Sequence, residues 1–598
     1  MEIDGLCGLA HQRFCLSTQS LQEKQPLWDT GRQVCLAADA FLFERPRLGA
    51  ELGFDPHRVE GMGDSELILA AYLRWGEACV EHIEGVYAFA AWDRRRGALF
   101  CATDPNDQRQ LYVCDQGGRF LFASEPKGIL AAPGVPRRLD EVKLAATINI
   151  FSLDEDLRRR TYFAGIQRLP PAAALAVSTG GARLVQFWTP EAHPSFPFQR
   201  AEEWVEAVRE RIFQVVAEWT GRCAYPVATL LSGGLDSSSV TAAAARLAAG
   251  EKRRLVSLSA VLPPDAPPGL SDERRYIDCF RGWPELEMVY VTAPGAGPFD
   301  RLEELVRSGD HPLYTSRHYL YTAFAAEARQ RGVRLILEGV GGELGPSNPG
   351  NGYIGERARR GDWAFAWSEA KHQMQRRGGS TWRNFTAQAV LPLLPGWVQR
   401  AAPRRGPVSF DLLAYSPLRR DFVQRTLGER LPRLLQDAKQ DLGEIPDQRA
   451  NQFRLQSLAW GLQGSSGFND YTQVCLAYPF FDRRLWALCL AAPGHLKVHN
   501  GYRRSLVRLS MEGILPPEIQ WRLDKQPFAS DYHLRYNRQR PAALELLRSI
   551  KPGEPAWEAL DLPRLLPLVE GDAQDNLDQQ ALGLVPTAVY IAQFLKQF

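Results

Sequence analysis

In the first third of the chain, apolar residues recur in short alternating runs at 86–92, 98–102 and 119–123, separated by Gly, Asp and Asn turns. A period of two over such short segments predicts half-buried strands. One helix is expected over 65–74, with Asp64 as its N-cap. Residues 1–190 therefore predict an α+β domain dominated by antiparallel sheet. Pro190, Pro194 and Pro197 crowd the stretch that follows, and 191–200 reads as a linker.

Beyond the linker the pattern changes. Helical periodicity near 201–218 gives way to the apolar run 227–231, and further apolar strands at 255–262, 288–292 and 333–337 alternate with helices near 272–280 and 318–331. That alternation predicts a parallel sheet with right-handed crossovers and a ligand site at the carboxyl ends of its strands. The second domain is expected over 201–598, with a mainly helical, arginine-rich insertion at about 345–450. Its tryptophans, Trp363, Trp367, Trp382 and Trp397, read as packed core, and a Pro/Gly-rich stretch over 392–407 interrupts it.

Composition narrows the class. Lys plus Arg is 71 and Asp plus Glu is 69 in 598 residues, so no net field favours nucleic acid as the main partner. Basic runs at 94–96, 158–160 and 404–405 read as solvated faces. The ten cysteines show no zinc-type spacing and suit a reduced cytoplasm. Acidic Glu2 and Asp4 stand where a secretory signal needs basic residues, and no apolar run reaches a membrane span. A cytoplasmic protein without membrane insertion is expected.

Chemistry enters at Ser232-Gly233-Gly234-Leu235-Asp236-Ser237-Ser238, between the apolar run 227–231 and the alanine-rich 240–247. Strand, glycine loop and helix in this order form an anion cradle: glycines let the backbone approach, and the helix N-terminus supplies free N–H groups. Ser232, Ser237 and Ser238 add hydroxyls, while Asp236 is a carboxylate suited to Mg²⁺ against phosphates. No GxxxxGK[ST] occurs, which argues against γ-phosphoryl chemistry. The loop resembles that of the PP-loop ATP pyrophosphatases, and this implies cleavage of ATP between its α and β phosphates, with AMP as product.

Further segments extend the resemblance. Tyr478-Pro479-Phe480-Phe481-Asp482-Arg483-Arg484-Leu485, Leu506-Val507-Arg508, Leu515-Pro516-Pro517-Glu518-Ile519 and Arg522-Leu523-Asp524-Lys525-Gln526-Pro527-Phe528 resemble the asparagine synthetase family in order and spacing. Asp64-Ser65-Glu66, 85–93, Asp104 and Phe122-Ala123-Ser124-Glu125-Pro126-Lys127 look like that family's first domain. The resemblance implies an N-terminal class II glutaminase-like (Ntn-type) domain and an α/β synthetase domain of the adenine nucleotide α-hydrolase type.

Departures from the family pattern are informative. A glutaminase of this class needs an N-terminal cysteine whose own amine serves as base, whereas position 2 is Glu2 and Cys7 is internal. The expected Asn-Gly-Glu turn is replaced by Ala37-Ala38-Asp39-Ala40. Glutamine hydrolysis is therefore not expected, and the first domain reads as a structural remnant. In Glu338-Gly339-Val340-Gly341-Gly342-Glu343-Leu344, Val340 stands where asparagine synthetases carry a glutamate and β-lactam synthetases a tyrosine, and an aliphatic side chain cannot act as base. Glu343 replaces the family's metal-binding Asp.

A degenerate glutaminase domain, a GxGG loop and an R-x-x-K-x-x-F segment look most like the lasso peptide cyclases. That likeness implies adenylation of an Asp or Glu side chain in a leaderless core peptide and closure of an isopeptide macrolactam by the peptide's N-terminal amine. It also implies a leader peptidase and a leader-recognition protein as partners. Mg²⁺ is expected on Asp236 and Glu343, and ATP contacts at Leu231, Ser257 and Gly339 beside the 232–238 loop. Lys525 is expected to stabilise charge in both steps. Arg522 either orients pyrophosphate or pairs with Asp524, and Glu273 either borders the site or belongs to a helix cap. No general base emerges from the motifs; an α-amine with a pKa of about 8 has a substantial neutral fraction at neutral pH, so ring closure without a dedicated base is one expectation. The alternatives are an asparagine or β-lactam synthetase acting on a small molecule, and a non-catalytic nucleotide-binding scaffold.

Overall fold

Alternation in the first domain sends successive side chains into two different cores. The strands are β1 (Leu27–Trp28), β2 (Val34–Phe43), β3 (Glu84–Asp93), β4 (Ala98–Thr103), β5 (Ala173–Ser178) and β6 (Gly181–Gln186). They form an antiparallel sheet in the order β6-β5-β4-β3-β2-β1. Val34, Leu36, Ala38 and Phe89 pack towards helix α1 (Asp64–Trp75), while Cys35, Ala90, Trp92 and Cys101 pack with Leu111 and Val113, beside a smaller sheet of Phe120–Ala123, Tyr112–Asp115 and Gln167–Arg168. The computed structural model describes residues 2–4, 7–149, 154–189, 196–312, 315–395, 412–441, 469, 471–526, 528–575, 578 and 580–598. Trp397, most of the 392–407 stretch and residues 191–195 of the linker lie outside these.

Gly63, not Asp64, is the N-cap of α1. The Asp64 carboxylate is drawn into a buried cluster, accepting from Arg45 at 2.7 Å, Arg222 at 2.9 Å and the Leu42 N–H at 3.0 Å. Two guanidinium partners outweigh a single cap hydrogen bond.

In the second domain, β7 (Val227–Leu230), β8 (Leu255–Ala260), β9 (Leu286–Val291), β10 (Leu335–Leu337) and β11 (Cys475–Ala477) form a wholly parallel sheet in the order β9-β8-β7-β10-β11. Their apolar runs are continuous because both faces are covered. Val227, Leu255, Leu335 and Leu337 meet α2 (Ala201–Arg222) and α3 (Leu235–Glu251). Ala228, Leu258 and Ile336 meet α4 (His318–Gln330) and the C-terminal helices. The helix expected near 272–280 is only a turn, Arg274–Ile277, followed by a 3₁₀ segment Asp278–Phe280.

Between β10 and β11 lies the insertion, with α5 (Tyr353–Arg359), α6 (Trp363–Arg377) and α7 (Thr381–Phe385). Trp367 packs edge-on against Trp382 at 4.9 Å and against Phe385 at 5.2 Å. Trp363 and Trp382 nevertheless remain 45% and 64% exposed, so the expected aromatic core is only half enclosed.

Charged side chains join the domains. Arg483 pairs with Glu84, and Arg484 reaches Glu44 at 2.8 Å. Arg109 pairs with Asp39 at 2.9 Å and reaches Cys475 Sγ at 3.7 Å, and the Tyr478 N–H donates to Gln108 at 3.3 Å.

Candidate active site

At the carboxyl ends of β7, β8 and β10 the chain encloses a cavity of about 670 Å³, within the range of small-molecule sites. Leu231, Ser232, Gly234, Asp236, Ser237, Glu273, Gly339, Glu343, Arg522 and Lys525 border it. Gly233 of the loop does not border it, nor does Ser238, which is buried within α3 (Leu235–Glu251) with its hydroxyl unpaired. Ser257 does not reach the cavity: it is fully buried within β8 with its hydroxyl unpaired, and the strand end beyond it, Ala260, Val261 and Leu262, forms the border instead.

The loop is shaped by backbone constraints. Gly233 has φ +72°, where a Cβ would also fall 2.8 Å from that of Tyr276. Gly234 is the N-cap of α3, which starts at Leu235 and so places Asp236 and Ser237 in its first turn, where N–H groups have no intrahelical acceptor. The Ser232 and Ser237 hydroxyls lie 2.8 Å apart. Gly339 is pressed onto this turn: a Cβ there would lie 2.5 Å from Ser237 N and 2.6 Å from the Asp236 carbonyl carbon. Gly339→Ala is therefore expected to displace the start of α3 at about 1–3 kcal/mol of strain and to weaken ATP binding about tenfold by calorimetry. Unchanged affinity would show that α3 can shift freely.

Two carboxylates face the loop. Asp236 is hydrogen-bonded by the Ser347 hydroxyl, and burial raises its pKa, with the nearby Glu343 acting in the same direction. Glu343 is 61% exposed and engaged by Arg504. No group of three or more metal-ligating His, Cys, Asp or Glu occurs among the described residues. A pair of carboxylates beside phosphate oxygens is the usual Mg²⁺ donor set, so Asp236 and Glu343 fit that ion together with nucleotide, provided Glu343 exchanges Arg504 for it.

Arg522 does pair with Asp524, one of the two expectations, but its closest partner is Glu273. Its guanidinium is bidentate to Glu273, at 2.6 and 2.9 Å, donates to Gly233 O at 2.8 Å and stacks 3.6 Å over the Tyr276 ring. Asp524 is a looser partner at 3.6 Å. The pair pins the glycine loop to the segment that carries Lys525. Lys525 itself is exposed to the cavity mouth, makes no ion pair among the described residues, and lies close enough for its charge to act on Asp236.

One residue escaped the sequence reading. Glu338, at the end of β10, borders the cavity and accepts from the Tyr321 hydroxyl at 2.8 Å. Protein surrounds it elsewhere, and this desolvation pushes its carboxyl up to about 7. Its signal in the sequence was a carboxylate directly after the buried run Leu335-Ile336-Leu337.

In the first domain, residues 37–40 continue β2 as straight strand paired with β3, and Asp39 is bound by Arg109. Cys7 pairs with Asp4 in a short hairpin, so its nitrogen is an internal amide.

A glutamine amidotransferase domain model matches residues 2–188 and an asparagine synthase model matches residues 207–589. Asparagine synthetase [glutamine-hydrolyzing] 3 of Bacillus subtilis (strain 168) is 26% identical over 529 residues, covering 85% of this chain and 78% of that one. Amidase chyE of Penicillium rubens is 27% identical over 354 residues, covering 56% of this chain and 50% of that one. Among solved structures, glutamine phosphoribosylpyrophosphate amidotransferase of B. subtilis aligns with 39% of this chain and 47% of its own, at 16% identity and a TM-score of 0.19. The asparagine synthase match takes in the parallel sheet, the glycine loop and every residue bordering the cavity. This chain belongs to the asparagine synthase family, as an ATP-dependent amide-forming ligase with an amino-terminal glutamine amidotransferase domain.

Proposed function

We propose that this ligase is a lasso peptide cyclase, which adenylates an Asp or Glu side chain of a leaderless peptide and joins it to the peptide's own N-terminal amine. The observation that carries this reading is the course of β2. Residues 37–40, where the family resemblance calls for a glutamine-holding turn, are unbroken strand with Asp39 occupied by Arg109. An amine other than one released from glutamine is then needed, and a peptide terminus supplies it without a second substrate. Val340 supports the reading, since it offers neither the glutamate nor the tyrosine of the small-molecule ligases.

ATP would lay its phosphates on the first-turn N–H groups of α3 and on the hydroxyls of Ser232 and Ser237. Mg²⁺, held by Asp236 and Glu343, would offset phosphate charge. As the substrate carboxylate attacks the α-phosphorus, pyrophosphate leaves, and Lys525 meets the negative charge that develops. The same ammonium then faces the oxyanion formed when the amine adds to the acyl adenylate. Partners in this reading are the core peptide, a leader peptidase and a leader-recognition protein, in the cytoplasm. No helix of the described residues is long and apolar enough to cross a membrane.

Similarity to a glutamine-hydrolysing asparagine synthetase across 85% of the chain favours a second reading, amidation of aspartate with free ammonia. One assay separates the two. The purified protein with Mg-ATP and a leaderless peptide carrying a free N-terminus and an internal Asp or Glu is expected to release AMP and yield a peptide lighter by one water, blocked at its N-terminus. AMP release with aspartate and ammonium chloride, but no change in peptide mass, would make it an asparagine synthetase.

A further inference from the structure

We infer that Glu338 is the general base of the amide-forming step, held in place by Tyr321. An amine that adds to an acyl adenylate becomes an N–H⁺ centre and must lose a proton before the tetrahedral intermediate can collapse forward. Val340 cannot take it. Two residues earlier, Glu338 borders the same cavity as Ser232, Asp236 and Ser237 of the loop that would hold the adenylate phosphate. The Tyr321 hydroxyl, from α4, fixes Oε1 at 2.8 Å, and Oε2 makes no hydrogen bond to any described residue. Leu320 and Phe324 of α4 keep this part of the cavity apolar.

The step balances as follows. The neutral amine adds its electron pair to the acyl carbon, the Glu338 carboxylate accepts one proton from that nitrogen, and the C–O bond to AMP breaks with its electrons left on the phosphate oxygen. Amide, AMP and a protonated Glu338 result, and the proton returns to solvent. The titratable groups that face Glu338 are Tyr321 on α4 and Tyr478 beyond β11. Because the base works as the carboxylate, transfer should quicken with pH and level off above about 7.

This inference rests on the amide-forming chemistry common to both readings above, and not on which amine attacks. The test uses the full-length enzyme, with the leaderless peptide and, separately, aspartate plus ammonium chloride. Glu338→Gln is expected to keep ATP–pyrophosphate exchange within about twofold while amide formation falls about a hundredfold. Hydroxylamine, uncharged at neutral pH and in less need of a base, should still trap the adenylate at close to the wild-type rate. Tyr321→Phe is expected to move the acid limb of the transfer profile to higher pH, because the lost hydrogen bond had favoured the carboxylate; a purely structural role would leave that limb in place. Normal amide formation by Glu338→Gln would overturn the assignment alone. A raised KM for ATP in the exchange assay would make Glu338 a nucleotide ligand and also overturn it. Absence of AMP release by the unmodified enzyme with both acceptors would remove the inference together with the function it rests on.

Discussion

Lys525→Ala is expected to slow product formation about a thousandfold while leaving thermal stability unchanged. The first half of this expectation follows from where charge appears. Pyrophosphate departure and amine addition both build negative charge beside the glycine loop, and Lys525 is a cation at that border with no partner to neutralise it among the described residues. A preorganised donor lost from one such step typically costs 10²–10³ in rate, roughly 3–4 kcal/mol of barrier, and in the proposed reaction one residue would serve two steps. The second half follows from its exposure: no packing or ion pair depends on the side chain. Rapid-quench measurement of AMP and amide together would check the prediction, because both steps should slow. A variant within tenfold of wild type in each would remove Lys525 from the chemistry.

The second large effect is on stability and loop order. Arg522 and Glu273 have side chains only 4% and 11% exposed, and the guanidinium also holds Gly233 O. Arg522→Met would leave the Glu273 carboxylate enclosed without its countercharge and release the glycine loop. Breaking one partner of a buried pair typically costs about 3–5 kcal/mol, so the synthetase domain should unfold at markedly lower urea concentration and bind ATP poorly. Glu273→Gln, which retains an acceptor for Arg522, should cost less. The double variant Glu273→Gln/Arg522→Met should recover part of the loss, since the uncompensated charge is gone. If Arg522→Met unfolds and binds ATP like the wild type, the pair is not what secures the loop.

The parts of this architecture legible in the sequence were those written in contiguous residues. The apolar runs of β7, β8, β9 and β10 announced a sheet covered on both faces, and Ser232 to Ser238 carried the glycine loop beside the cavity in one stretch. Strand β11, the three residues Cys475–Ala477, was not foreseen: it is too short for a periodicity and follows a long insertion. The Arg522–Glu273 clamp was equally hidden, because its partners are 249 residues apart. Ser257 lies inside β8, and the end of that strand that borders the cavity is three residues further on, at Ala260. Glu338 carries no motif of its own, and only the fold brings Tyr321, 17 residues earlier, against it.

The first domain also has a mechanical part in the second. Strand β11 is the outer strand of the parallel sheet, and an uncovered sheet edge invites pairing with other chains. Here Arg109 and Gln108 of the first domain meet Cys475 and Tyr478 at that edge, while Glu84, Glu44 and Asp64 hold arginines that belong to the catalytic half. Removing the first domain would leave Arg222, Arg483 and Arg484 without these acidic partners and lay the sheet edge bare. The first domain is thus part of the synthetase domain's own scaffold: whatever chemistry it carries out, it supplies countercharges to arginines of the second half of the chain.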